Sequence, residues 1–148
     1  MLRSVFSVLR GDGRFVMRNL CPQEQRDWLY YDYFPEALQI DLADFWPAET
    51  VTATMEAIGF AGIEVELDHL RFDQDMRTWL AMVRRRDTNS QLMAISDSSY
   101  EAGILRLESE LANADTPKER ADHICLITVR GERRANRGQE AGACDRAD

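Results

Sequence analysis

No apolar run in these 148 residues approaches the roughly 18 that a membrane-crossing helix needs. The opening Met1 to Arg10 breaks its apolar residues with Arg3 and Ser4, so it builds no signal-peptide core. Cysteine is scarce: Cys21, Cys125 and Cys144 are an odd number at wide spacings, which indicates neither a disulfide framework nor a paired-thiol metal site. Reduced thiols in a cytoplasmic protein are the expectation. A basic surface is lacking too, since 18 basic against 26 acidic side chains leave a net charge of −8, and phosphate neutralisation needs concentrated positive charge. General nucleic-acid binding is excluded on that ground. His69 and His123 share no ligand spacing with each other or with the cysteines, and Asp73-Gln74-Asp75 lacks the glycine and later glutamate of a calcium loop. No metal is expected. What remains is a chain 45% hydrophobic and 30% charged, long enough for one domain that buries roughly 68–70% of its unfolded surface.

Leu2, Val5, Phe6, Val8 and Leu9 recur at near-helical spacing until Gly11-Asp12-Gly13 stops them, the two glycines tolerating positive φ. Arg14 to Leu20 then reads as a short strand ending before Pro22. Residues 21–45 hold Trp28, Tyr30, Tyr31, Tyr33, Phe34 and Phe45 with no clean period, and read as a long aromatic excursion or lid. After Trp46-Pro47 a helix with Val51, Met55 and Ile58 on one face ends at Gly59, with Phe60 folding back as the hydrophobic contact. Ile63, Val65 and Leu67 alternate with Glu64, Glu66 and Asp68, which predicts a strand with one wet face. A helical stretch over 73–112 follows. In it Asp75 caps a helix carrying Met76, Trp79, Leu80 and Val83, Arg84-Arg85-Arg86 sits at its negative end, and Ser98 with Glu101 has the form of a capping box for the last helix. Ile124 to Val129 is an almost unbroken apolar strand of the kind buried on both faces, closed by Gly131. Residues 132–148 show no period and are expected to form a disordered tail.

That order, with its local text, resembles the C-terminal half of the class I, Rossmann-like S-adenosylmethionine-dependent methyltransferases. VFSVLRGDGRFV (5–16) is similar to the helix and turn before the family's fifth strand, although Gly11 stands for the usual proline and Asp12 for a glycine. WPAETVTATMEAIGFAGI (46–63) is similar to the helix and entry of the sixth strand. SQLMAISDSSYEAGILRL (90–107), with 122–131 as the seventh strand, looks like a small-molecule subgroup with a helical insertion between strands six and seven. The resemblance covers residues 1–131 and implies an α/β fold: a three-stranded mixed sheet of strands five, seven and six with covering helices. It implies methyl transfer to a small-molecule acceptor, with S-adenosylmethionine as cofactor.

In the family the cofactor sits on a glycine-rich turn after the first strand and on an acidic residue ending the second. Neither is here, because the Gly11-Asp12-Gly13 turn precedes its strand. No cofactor-binding residue is expected in this chain, and Met1 falling inside what the family treats as a continuous helix favours a truncated reading frame. The resemblance places Arg18 and Asn19 at the fifth strand's end, and Tyr30, Tyr31 and Tyr33 beyond it, as candidates for the acceptor pocket. The plainer reading of the tyrosines is that they pack the excursion onto the body. Arg71 and Arg77 read as solvated surface or as contacts to an anionic acceptor; His69 reads as a partly buried strand residue or a base, and His123 as structural. The alternative to an enzyme is a non-catalytic half-domain kept for binding. In both readings the first strand lacks a neighbour, so self-association or a partner supplying strands is expected there, and the aromatic residues of 21–45 are expected to be partly exposed.

Without the glycine-rich turn and the ribose acid, this chain alone is expected to show no saturable S-adenosylmethionine binding by calorimetry at micromolar concentration, where binding is worth about 8 kcal/mol. A micromolar isotherm would place the cofactor site elsewhere than the resemblance does.

Overall fold

The computed structural model describes residues 1–135 apart from 26, 114, 116 and 117. In chain order the elements are α1 (Leu2–Val8), β1 (Gly13–Leu20), α2 (Leu29–Tyr33), α3 (Pro35–Asp44), α4 (Ala48–Ile58), β2 (Ala61–Asp75), α5 (Met76–Val83), α6 (Ser90–Ala94), α7 (Asp97–Ala112) and β3 (Glu119–Arg133), with 3-10 turns at Pro22–Glu24 and Arg86–Thr88. The sheet order is β1-β3-β2. That is the five-seven-six order implied by the resemblance. Both ladders are antiparallel: on one side Asp12 N–H donates to Arg133 O at 2.7 Å and Cys21 N–H to Cys125 O at 3.0 Å; on the other, Met76 N–H reaches Lys118 O at 2.8 Å. No parallel pair is needed, since β1 and β2 each touch only β3.

The chain divides into two compact units, one of Met1–Arg18, Ala48–Glu66 and the chain from Thr128, the other of Asn19–Pro47 and Leu67–Ile127. In the first, α4 ends as its sequence predicts. Gly59 takes φ +110°, its N–H reaches Glu56 O at 3.0 Å, and Phe60 N–H reaches Met55 O at 3.1 Å, the paired bonds of a Schellman motif. Phe60 then packs on Phe6 with ring centroids 4.8 Å apart and on Phe15 at 5.7 Å. Arg133 donates to the carbonyls of Phe6 and Leu9 at 2.9 and 2.8 Å, satisfying the orphan acceptors at the end of α1. At the following turn the positive φ belongs to Asp12, at 62°, and not to Gly11 or Gly13. Aspartate tolerates this region, and its carboxylate here accepts Ala135 N–H at 3.2 Å.

The second unit corrects the irregular reading of residues 21–45: much of the stretch is helical, as α2 and α3. The expected partial exposure of its aromatic residues holds for Phe45 alone. Trp28, Tyr30, Tyr31, Tyr33 and Phe34 are buried in one core with Trp79 and Val83 of α5, Leu92 of α6 and Leu107 of α7. Trp79 stands at its centre, with the rings of Tyr33 and Tyr30 at 5.2 and 5.4 Å. Aromatic faces and edges satisfy one another in such a cluster with no repeat along the chain. Asp75 caps α5 by accepting Thr78 N–H at 2.7 Å, as expected. For α7 the cap is Ser96 and not Ser98: its hydroxyl accepts Ser99 N–H at 3.3 Å and donates to Glu36 at 2.6 Å. A contact to α3 chose the starting residue.

Two strands outrun their sequence patterns. Pairing carries both β2 and β3 to 15 residues, past the alternation of residues 63–68 and the apolar run of 124–129. Glu132 and Arg133, expected in a disordered tail, are strand residues, while the rest of that expectation, from residue 136, lies outside the described residues. β3 is buried on both faces over most of 122–131, as a central strand should be. Val65 and Leu67 of the edge strand β2 stay exposed, against the expected inward face. Among the described residues no helix is long and apolar enough to cross a membrane.

Gly103 of α7 lies against the Phe34 ring, and a Cβ there would also sit 2.6 Å from Tyr33 O. In an open helix glycine to alanine gains about 1 kcal/mol, but overpacking a closed contact costs about 1–3 kcal/mol. Gly103→Ala is therefore expected to lower stability by up to about 2 kcal/mol in urea unfolding; a higher midpoint would mean that α7 is not seated on Phe34.

Candidate functional site

The five candidate residues do not share one environment. Arg18 and Asn19, at the end of β1, are exposed, and Asn19 Oδ1 takes the next N–H, that of Leu20, at 3.1 Å. Tyr30, Tyr31 and Tyr33 are all buried in α2. The Tyr31 hydroxyl donates to Asp41 Oδ2 at 2.8 Å. That of Tyr33 donates to Glu110 at 2.6 Å and accepts from Arg120 at 2.8 Å, while the Arg106 guanidinium lies 4.7 Å from its ring centroid. Both hydroxyls are thus engaged within the chain. Tyr30 packs between Trp28 and Trp79, and burial holds its hydroxyl pKa above the ordinary value. Met76, Trp79 and Leu80 take their expected core positions; Arg71 and Arg77 are exposed.

A different set of polar groups converges beside α2. Asp122, buried at the start of β3, accepts the Leu29 N–H that opens α2 at 2.9 Å and the His123 N–H at 2.9 Å. Burial raises its carboxyl pKa against the pull of those donors. Gln25, 1% exposed, accepts Cys125 N–H at 3.0 Å through Oε1, while its Nε2 has no partner among the described residues. His123 is 4% exposed. Its Nε2 lies 3.0 Å from His69 Nδ1 on the neighbouring strand, with the rings nearly parallel, and its Nδ1 has no partner among the described residues. His69, expected partly buried, is exposed. Burial lowers the His123 pKa; the charges of Arg71 and His69 add to this, and those of Asp27 and Asp122 oppose it. The only two histidines of the chain thereby meet across a ladder, which their separation of 54 residues conceals.

Among the described residues, the one turn with paired glycines does not fit S-adenosylmethionine as a cradle. The Gly11-Asp12-Gly13 turn has its Asp12 and Gly13 N–H groups engaged with Arg133 O and Arg10 O, so it offers no ring of free donors. Among the described residues no cluster of three metal-binding side chains exists.

No family model matches this sequence, and no curated protein matches it. Solved structures do. One, described as a methyltransferase from an antibiotic biosynthesis pathway of Anabaena variabilis, is 19% identical, with a TM-score of 0.48, over 86% of this chain and 58% of that one. Phosphoethanolamine N-methyltransferase 2 of Haemonchus contortus, in complex with S-adenosyl-L-methionine, is 17% identical with a TM-score of 0.39, over 90% of this chain and 29% of that one. The same enzyme with phosphomonomethylethanolamine and S-adenosylhomocysteine gives 15% and 0.36. This chain thus spans 58% or less of the length of these three structures. Function has to be argued from its own residues.

Asp41 yields a test of the engaged hydroxyls. It is buried, and burial raises its carboxyl pKa above the ordinary 3.8. Asp41→Asn keeps an acceptor for Tyr31 and removes the desolvated charge. A group whose folded pKa is raised costs stability above that pKa and stops doing so as the pH falls through it. The variant is expected to melt above the parent at pH 7, with the gap closing toward pH 4. A variant that melts lower at pH 7 would mean that Tyr31 needs a charged partner.

Proposed function

We propose that this chain is the acceptor-side part of an S-adenosylmethionine-dependent methyltransferase of the cytoplasm, acting on a small molecule and completed by strands that pair with the free edge of β1. The observation that carries the reading is the sheet: β3, last in sequence, lies between β1 and β2 and runs antiparallel to both, the strand order implied by the sequence resemblance. Among the described residues β1 pairs only with β3, so its other edge suits a further strand from a partner or a second copy. Polar groups gather just after β1, where the resemblance puts the acceptor, and others at the start of β3. Cys21 and Cys125 are buried as thiols and form no disulfide, which fits a reducing compartment.

A second reading, a non-catalytic half-domain, is favoured by the internal engagement of Tyr31 and Tyr33. The two separate on one experiment. The chain extended by the sequence encoded upstream is incubated with methyl-labelled S-adenosylmethionine and a small-molecule cell extract. Label entering the small-molecule fraction only with the extended protein is expected; micromolar cofactor binding without transfer, or no binding, favours the half-domain.

A further inference from the structure

The two histidines carry an arrangement that packing alone does not require. A buried imidazole nitrogen normally finds a partner, and one left without is a candidate for chemistry. His123 Nδ1 is such an atom, while the opposite nitrogen of the same ring is hydrogen-bonded to the exposed ring of His69. With Nε2–H donating to His69 Nδ1, the His123 Nδ1 carries a buried lone pair, while the His69 ring at the other end of the contact is exposed. From this geometry we propose that His123 and His69 form a proton relay, entered at His123 Nδ1 by the proton of a hydroxyl acceptor and discharged to solvent from His69. The proposal rests on the methyltransferase reading for its substrate but not for its wiring.

The proton balance is closed. The acceptor O–H bond breaks, its electron pair stays on oxygen, and the proton joins His123 Nδ1. The His123 Nε2 proton passes to His69 Nδ1 across the 3.0 Å contact, and His69 gives its own Nε2 proton to water. Each ring gains one proton and loses one, so no imidazolium has to persist in the buried site. Gln25 Nε2 is a second buried polar atom without a partner among the described residues, and the Oε1 of that amide holds the backbone N–H of Cys125, two residues beyond His123 on β3. The charged and titratable groups facing His123 are Arg71 and His69 from β2, Asp27 from the segment before α2, and Asp122 from β3 itself. Burial, the largest influence, keeps the ring neutral near pH 7, the state a base must start from.

The wiring is tested on this chain, without cofactor, by nitrogen-15 imidazole spectra. At pH 7 His123 is expected with Nδ1 unprotonated and a proton on Nε2. Exchange of that Nε2 proton with water is expected to slow at least about tenfold in His69→Phe, which keeps a ring and removes the relay nitrogen. A proton on Nδ1, or unchanged exchange in His69→Phe, overturns the relay. Its use is tested in the extended protein by label transfer. His123→Gln is expected to lower kcat about 100-fold or more with KM little changed, the scale of a lost general base, and His69→Phe to lower it about tenfold. Undiminished kcat in His123→Gln overturns the proposal, whereas a wild-type extended protein that transfers no label overturns the methyltransferase reading and leaves the exchange measurement to decide the wiring.

Discussion

β3 has a strand on each side and side chains buried on both faces, and the placement of the chemistry follows from that one position. A strand so enclosed must satisfy every N–H and C=O within the protein. β1 and β2 supply most of those partners, and where β1 has ended the Gln25 side chain supplies one for Cys125. The requirement explains why Gln25 is almost completely buried although it lies in a connecting segment. It also brings Asp122 to the first turn of α2 and His123 to His69.

The aromatic cluster of the second unit does complementary work. α2 is only five residues long and α6 another five, too short to persist by backbone hydrogen bonding alone. What holds them is burial: Leu29, Tyr30, Tyr31 and Tyr33 of α2, and Leu92 of α6, meet Trp79, Val83 and Leu107. Polar ties then fix direction. Asp32 and Tyr33 are gripped by Arg106 and Arg120, and Asn89 accepts Leu92 N–H to start α6. Half-exposed ion pairs of this kind contribute little each, but they set which face of a short helix turns inward.

The candidate residues illustrate how one side chain is claimed by either role. Tyr31 and Tyr33, offered by the resemblance as pocket walls, have their hydroxyls bound to Asp41, Glu110 and Arg120. His123, read from sequence as structural, has a buried nitrogen with no partner among the described residues. A hydroxyl that already donates to an internal carboxylate resists donating elsewhere, whereas an unpartnered base is available.

By itself the sequence determined what depends on near neighbours. The Gly59 terminus of α4 with Phe60 folding back, the Asp75 cap, the stripe of Met76, Trp79 and Val83, and the two-faced burial of Ile124 to Val129 each need only a few adjacent residues, and all are present. The strand order also followed, because a resemblance in text carries topology with it. Only the tertiary structure decided the rest. The aromatic residues of 21–45 have no period, since they fill a space bounded by α5, α6 and α7 instead of one face of one helix. Ser96 displaced Ser98 as a cap because Glu36 binds it from 60 residues away. The meeting of His69 and His123 was the least legible feature, because pairing register between strands is set by the summed fit of both ladders, and no local pattern in either strand encodes which residue it will face.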